Sequence, residues 1–236
     1  GVVAREAPLA STPGETFRYS ATLTYYLVAK IAERVSGKTY QVLLAELFSL
    51  ADMRHSRFAA TRDLKALRRG VPGLVPGYVE TKHGITAANK LDEGIDAPGG
   101  AWLHPGGGVI STAADLCRWN HALHHGQILS PDAYAAMVTA YAFRAGHRYG
   151  KLGYGLGLQV SDRGGIVEYS HSGYVNGYVS TLLFYPKSRI SVVILENVSW
   201  RLDNIARAFG VHDHVRDALR GFLRHSSGAV NPLLIF

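Results

Sequence analysis

Residues 177–197 read GYVSTLLFYPKSRISVVILEN, two strand-like apolar runs joined by Pro186-Lys187-Ser188-Arg189, a hairpin-length connection. Two more strand-length runs lie just upstream, YGLGLQV at 154–160 and GIVEYS at 165–170. Past residue 153 the hydrophobic period is therefore 2, and this part of the chain is expected to form an antiparallel meander. Inside it sits EYSHSGYVNGY (168–178), where a histidine, small residues and hydroxyls interrupt the apolar pattern. A strand that ends in His171-Ser172-Gly173 is either a structural bend or one wall of an active site. Asn176 and Gly177 read as the bend that follows it.

Upstream the period is 3.6. TLTYYLVAKIAERVS, about 22–36, puts Leu27, Val28, Ile31 and Val35 on one face and Lys30, Glu33 and Arg34 on the other, with Gly37 as the C-cap. YQVLLAELFSL predicts a second helix at about 40–50. Thr112 and Asp115 predict a capping box ahead of the face Leu116, Trp119, Leu123, and Ser130-Pro131 starts a helix over PDAYAAMVTAY. A closing amphipathic helix, about 202–224, offers Ile205, Phe209, Val215, Leu219 and Phe222. Residues 57–108 and 140–153 read as loops, and loops of that length in a compact domain usually carry function. Helices, a meander and a closing helix make an α+β domain of helix and sheet layers.

Hydrophobic residues make up 47% of the chain and charged residues 18%, which supports a packed core and argues against disorder. No apolar run reaches the roughly 18–20 residues of a membrane span, and GVVAREAPLA has no signal-peptide pattern. The net charge is +7, but the densest basic cluster, Arg62, Lys65, Arg68 and Arg69, has no stacking aromatics among it. It reads as a solvated helix face, so no nucleic-acid partner is expected. The single cysteine, Cys117, excludes an internal disulfide and a cysteine-rich metal site; it falls on the apolar side of a predicted helix and reads as a buried thiol. His121, His124 and His125 share a helix without the glutamate of an H-E-x-x-H arrangement, so neither a metal nor a cofactor is expected.

Several stretches in order carry a family likeness: PGETFRYS (13–20), IAERVSG (31–37), GGGVISTAADLCRWNHALHHGQILS (106–130), YGLGL (154–158) and HSGYVNGYVSTLLFYPKSRISVVILEN (171–197). Through them the chain resembles the serine hydrolases of the group that holds class C β-lactamases, D-Ala-D-Ala carboxypeptidases, D-aminopeptidases and related esterases. The resemblance implies a β-lactamase/transpeptidase-like fold, an antiparallel sheet flanked by helices, and an acyl-enzyme mechanism built on S-x-x-K, Y-x-N and K-T-G or H-x-G motifs. It implies that Tyr19 is the motif tyrosine, a proton shuttle, with Ala21 where the family expects asparagine. His171-Ser172-Gly173 matches the strand motif in its histidine form, and the backbone N–H of Tyr174 takes the oxyanion position. The implied substrate is a small-molecule or peptide-like acyl compound (amide, ester or β-lactam), with the histidine form closer to the peptidase-like and esterase-like members. An exported or envelope location is implied by the family alone.

No serine in the sequence has a lysine three residues later, and there is no G-x-S-x-G elbow. The expectation is a partial domain over 1–225, lacking the N-terminal strands and the nucleophile helix, followed by a tail or linker at 226–236. Two readings follow. One is a fragment of a serine acyl hydrolase whose nucleophile lies outside this chain. The other, favoured by Ala21, is a catalytically inactive binding protein that keeps the cleft. Trp102 and His104, in a glycine-rich loop, are candidates for the cleft mouth or for loop packing.

Overall fold

The structure, a computed structural model, describes residues 11–59, 61–90, 104–147 and 149–225. In chain order the helices and strands are α1 (Ala21–Ser36), α2 (Tyr40–Leu50), β1 (Arg57–Phe58), α3 (Leu64–Gly70), β2 (Tyr78–Thr81), β3 (Gly84–Ala87), the single turn α4 (His104–Gly107) and β4 (Val109–Ile110). There follow α5 (Ala113–His124), α6 (Pro131–Val138), β5 (Ala142–His147), β6 (Gly150–Tyr154), β7 (Gln159–Ser161), β8 (Glu168–Val175), β9 (Tyr178–Tyr185), β10 (Ile190–Glu196), β11 (Val198–Ser199), α7 (Ile205–Ala208) and α8 (Gly210–His225). Trp102 and the tail at 226–236 lie outside the described residues.

The meander forms a six-stranded sheet in the order β10-β9-β8-β7-β6-β5, each neighbouring pair antiparallel. The hairpin between β9 and β10 closes across Tyr185↔Ile190, on either side of the four-residue connection. Helix α5 covers one face, where the His124 ring stacks flat on Phe184 with centroids 4.0 Å apart. Helix α8 covers the other, its Leu219 and Leu223 packing on Leu183, Tyr185 and Ile190.

Two expectations about the sheet need correction. YGLGLQV at 154–160 is not one strand but the junction of β6 and β7. A side chain at Gly155 would lie 2.1 Å from the Met137 carbonyl, and Gly157 has φ +88°, so both glycines serve a turn packed on the end of α6. Residues 142–147 and 150–153, read as loop, join Tyr154 in the β5–β6 edge hairpin. Their glycines and charged residues hid the alternation.

The starts of α1, α2, α5 and α6 are as expected, whereas the closing helix expected from about 202 is divided into α7 and α8. Ser20, Thr39, Thr112 and Ser130 each accept a hydrogen bond from the backbone N–H three residues on, and Gly37 closes α1 at φ +70°. At α5 only half of the capping box forms. The Asp115 carboxylate, fully buried, accepts instead from the His55 N–H at 2.7 Å and the Ser56 hydroxyl at 2.8 Å and pairs with Arg118. That ties the loop before β1 to the start of α5. Cys117 is half-buried on the same helix, and burial pushes its thiol up.

Helix α8 departs most from its sequence pattern. Its buried stripe is not apolar but His212, Arg216 and Arg220, spaced four apart, while Ile205 and Phe222 are exposed. The cause is opposite them in the sheet. Glu168 on β8 is buried, and a buried carboxylate must be paired. Arg216 Nε lies 3.2 Å from one oxygen, Arg220 Nη1 lies 3.1 Å from the other, and the Tyr185 hydroxyl donates to the latter at 2.8 Å. Two cations and a phenol thus lock α8 to two adjacent strands, β8 and β9, through one carboxylate.

Helix α1 buries only its Ala29 side. Leu23, Leu27, Ile31 and Val35, one turn apart, are all exposed, Ile31 by 63% and Val35 by 82%. The face expected to sit in the core has no cover among the described residues, and apolar stripes of this kind mark an interface. The 236-residue chain alone is therefore expected to self-associate with rising concentration in sedimentation velocity, and Ile31→Lys with Val35→Lys to reduce that association. A monomer at all concentrations would sink the expectation. In urea unfolding, Glu168→Gln is expected to cost about 3–5 kcal/mol, because it strands two buried guanidinium groups; a loss under about 1 kcal/mol would show that Arg216 and Arg220 find other partners.

Candidate active site

Strand β8 is paired unequally on its two sides. Against β9 the ladder runs from Tyr169 to Val175. Against β7 it covers only Glu168, Tyr169 and Ser170. His171–Val175 therefore present a free edge among the described residues. Val175 and Tyr178 close the hairpin around the two-residue connection Asn176-Gly177, and a pair that close can bond only directly to each other. Alternation then turns the N–H groups of Ser172 and Tyr174 away from β9, toward the free edge.

That edge borders a cavity of about 1090 Å³, whose lining includes Tyr19, Arg144, His171, Ser172, Gly173 and Tyr174. The polar groups of the sequence motifs thus meet at one place. The Tyr19 ring lies with its centroid 6.0 Å from the His171 ring and 5.8 Å from the Tyr154 ring. Tyr19 reaches this point because Ser20, the next residue, is the N-cap of α1, so the loop is pinned directly after it. Ala21 is the first residue of that helix.

His171 is held by both nitrogens. Its Nδ1–H donates to the Ser172 carbonyl at 2.9 Å, which leaves Nε2 to accept from the Tyr154 hydroxyl at 3.0 Å. Tyr154 in turn accepts from Tyr25 on α1 at 2.8 Å. The imidazole is thus the neutral Nδ1–H tautomer. Burial holds its pKa below the usual histidine value; the Ser172 carbonyl opposes that, and the nearby Arg144 charge adds to it. Burial pushes the Tyr19 phenol up, with Tyr25 adding and Arg144 opposing. Tyr154 is raised as well, first by burial and then by its bond with Tyr25. All three groups are neutral at pH 7, and the Arg144 guanidinium, 5.9 Å over the Tyr19 ring, acts on each of them.

The remaining motif residues divide by face. Gly173 lies on the His171 side of β8, where an added side chain would meet the Ser180 hydroxyl at 2.6 Å and oblige it to turn away. Ser172 and Tyr174 point to the α8 side. The Tyr174 ring packs near Phe209 and its hydroxyl donates to the Trp200 carbonyl at 2.6 Å; only its backbone N–H is available to the cleft. Sequence reasoning missed Tyr154, Tyr25 and Arg144. Tyr154 lay inside a stretch taken as one strand, and Tyr25 lay on a helix read for its apolar face.

Residues 3–211 match the family model described as beta-lactamase. The chain belongs to the beta-lactamase family. Three solved structures place the fold of this family member. A penicillin-binding protein from Bacillus halodurans is 22% identical with a TM-score of 0.70, over 91% of this chain and 59% of that one. The octameric penicillin-binding protein homologue from Pyrococcus abyssi is 27% identical with a TM-score of 0.67, over 80% and 40%. A D-amino acid amidase from Ochrobactrum anthropi SV3 is 21% identical with a TM-score of 0.66, over 91% and 60%. The chain therefore spans between 40% and 60% of the length of these three structures. The α+β architecture, an antiparallel sheet with helices on both faces, is the β-lactamase/transpeptidase-like fold expected from the sequence. No helix among the described residues is long and apolar enough to cross a membrane.

Tyr154→Phe removes the donor that stabilises neutral His171. It is expected to raise the midpoint of the His171 titration followed by imidazole NMR. In the wild type that midpoint lies below the usual value, so the stability His171 contributes is full above about 6.5 and is lost as the pH falls below it. A midpoint that stays put or falls in Tyr154→Phe would show that the hydroxyl does not set it.

Proposed function

We propose that this chain forms the substrate-binding part of a serine acyl hydrolase, with Tyr19 as its proton shuttle and the free edge of β8 as its substrate-facing wall. The observation that carries the reading is the approach of the Tyr19 and His171 rings, 6.0 Å apart, beside an unpaired strand edge. An extended acyl substrate can add to that edge as a further strand, and the Tyr174 N–H is positioned to stabilise charge that develops on its carbonyl oxygen. Tyr19 stays protonated while its pKa is raised, so alone it is a donor to the leaving group. To take a proton it needs a cation beside it, and Arg144 acts in that direction. His171 is not a free base, because both ring nitrogens are engaged; its part is to hold Tyr154 and the strand in register.

The attacking group is proposed to come from polypeptide outside these 236 residues. Ser172 Oγ is bonded to Thr181 at 3.0 Å, Ser180 lies beneath Gly173, and no serine of the sequence has a lysine three residues on. The substrate class is an amide, ester or β-lactam, and the resemblance to an amidase structure favours an amide. A second reading, a binding protein that keeps the cleft without the chemistry, is favoured by Ala21 at the motif's third position.

The two readings separate on acylation. The natural full-length product is expected to be labelled by a fluorescent penicillin or fluorophosphonate on a serine outside this chain, and Tyr19→Phe to slow labelling by about 10²-fold or more. The isolated 236 residues are expected to take no label. A labelled serine within the chain, or full rate in Tyr19→Phe, would overturn the assignment; no labelling of the full-length product would leave the binding-protein reading in its place.

A further inference from the structure

Behind the motif strand, on its α8 side, four polar side chains form an unbroken hydrogen-bonded line. Ser172 on β8 and Thr181 on β9 are direct cross-strand partners, with their hydroxyl oxygens 3.0 Å apart. Thr181 Oγ1 is 2.8 Å from His212 Nδ1, and His212 Nε2 is 3.0 Å from Glu196 Oε2 on β10. Thr181 and His212 are fully buried, whereas Ser172 and Glu196 both line the cleft cavity. The line thus leaves the cleft wall at Ser172, passes through the core and returns to the cavity at Glu196. Nothing in the mechanism above uses it.

We propose that His212 is a positioning residue whose protonation state sets the direction of the Ser172 hydroxyl in the cleft wall. Thr181 has one hydroxyl proton and two neighbours that compete for it. With His212 neutral, Nε2–H donates to Glu196, Nδ1 accepts the Thr181 proton, and Thr181 Oγ1 accepts from Ser172. Ser172 then shows only its lone pairs to the cleft. With His212 protonated, Nδ1–H donates to Thr181, the Thr181 proton turns to Ser172 Oγ, and the Ser172 proton is free to point at a substrate. Only hydroxyl rotations are needed, and no heavy atom moves.

The charges around the imidazole allow both states. Glu196 faces it from β10 and favours the cation. Arg216, one turn along α8, opposes it but is itself held by Glu168 on β8 and lies 4.0 Å from Asp213. Thr181 faces it from β9, and the Phe209 ring meets it edge-on at 6.0 Å. A donor at Ser172 suits an acyl substrate that offers a carbonyl or carboxylate oxygen, and an acceptor suits one that offers an N–H. The inference rests on the proposed reading of β8 as the substrate-facing strand, but the relay itself can be tested without catalysis.

The test is an NMR pH titration of the 236-residue chain that follows the His212 imidazole and the backbone amides of Ser172, Gly173 and Tyr174. The amides are expected to titrate with the midpoint of His212. Thr181→Val, which keeps shape and removes the hydroxyl, is expected to abolish the amide response while His212 still titrates. Thr181→Ser is expected to restore it. Should Thr181→Val fail to fold, Glu196→Gln serves: it removes the carboxylate that favours the cation, so the imidazole and amide midpoints must move down the pH scale together. An amide response that survives in Thr181→Val, an imidazole shift in Glu196→Gln that the amides do not follow, or a His212 that never titrates while the chain is folded would overturn the proposal. Coupled titration in a protein whose full-length form is never acylated would leave the relay standing and remove the hydrolase reading.

Discussion

The point at which β7 stops pairing with β8 decides what this molecule can do. Had the ladder continued past Ser170, the N–H groups of Ser172 and Tyr174 would be consumed by a neighbouring strand, and β8 would present no free edge. The short β7, three residues long, follows from the Gly155–Leu158 turn that takes up chain on one side and from the Asp162–Gly165 turn on the other. An edge so exposed normally invites pairing with another chain. Here it is set back beside a cavity and flanked by Tyr19 and His171, which restricts what can reach it to an extended segment small enough to enter. Binding by strand addition, proposed above, thus has a place in the sheet whatever chemistry follows.

Holding that edge still is the work of the opposite face. Glu168 begins β8 and is clamped by Arg216 and Arg220 of α8; Thr181, directly across from Ser172, is held by His212 of the same helix. The three residues that α8 buries are thus all polar and all aimed at the strands beside the motif. A purely apolar stripe would bind the helix with less dependence on register, since hydrophobic contact is non-directional. Charged and hydrogen-bonded contacts at four-residue spacing admit one rotation and one axial position of the helix. Whatever stability such pairs forgo against an apolar alternative, they fix the sheet edge in place, which a binding edge requires.

The sequence made the hairpin of β9 and β10 legible because apolar alternation and a four-residue connection leave little freedom, and it made the starts of α5 and α6 legible because Thr112 and Ser130 cap in the ordinary way. The approach of Tyr19 to His171 was legible only through motif order, since 152 residues of chain separate them and no periodicity spans that distance. What periodicity concealed is instructive. Tyr154 belongs to a stretch whose glycines serve a turn rather than a strand, and the α8 stripe was hidden by the rule that buried faces are apolar. Arg216 and Arg220 are buried because Glu168 is, and a pairing of this sort, 48 and 52 residues apart, leaves no local trace. Likewise Leu27, Ile31 and Val35 announced a core face that the described residues do not cover.

These features bear on one another. The cavity beside the free edge and the exposed stripe of α1 are both surfaces without cover among the described residues, in a chain that spans between 40% and 60% of three structures of its fold. A cleft of about 1090 Å³ is large for a site that positions one acyl group, and its exposed apolar lining at Val75, Val109 and Leu195 offers no chemistry of its own. Such a wall gains most by contact with another apolar surface, at roughly 25 cal/mol per Å² buried. Tyr19, His171 and the motif strand make up only one part of its lining. A segment that covered the apolar part would shrink the cleft around Tyr19 and His171, exclude water from them, and strengthen every hydrogen bond aimed at a substrate carbonyl. On the proposed hydrolase reading, assembly and catalytic competence would then be one event, because the surface that stabilises the covering segment would be the surface that encloses the reaction.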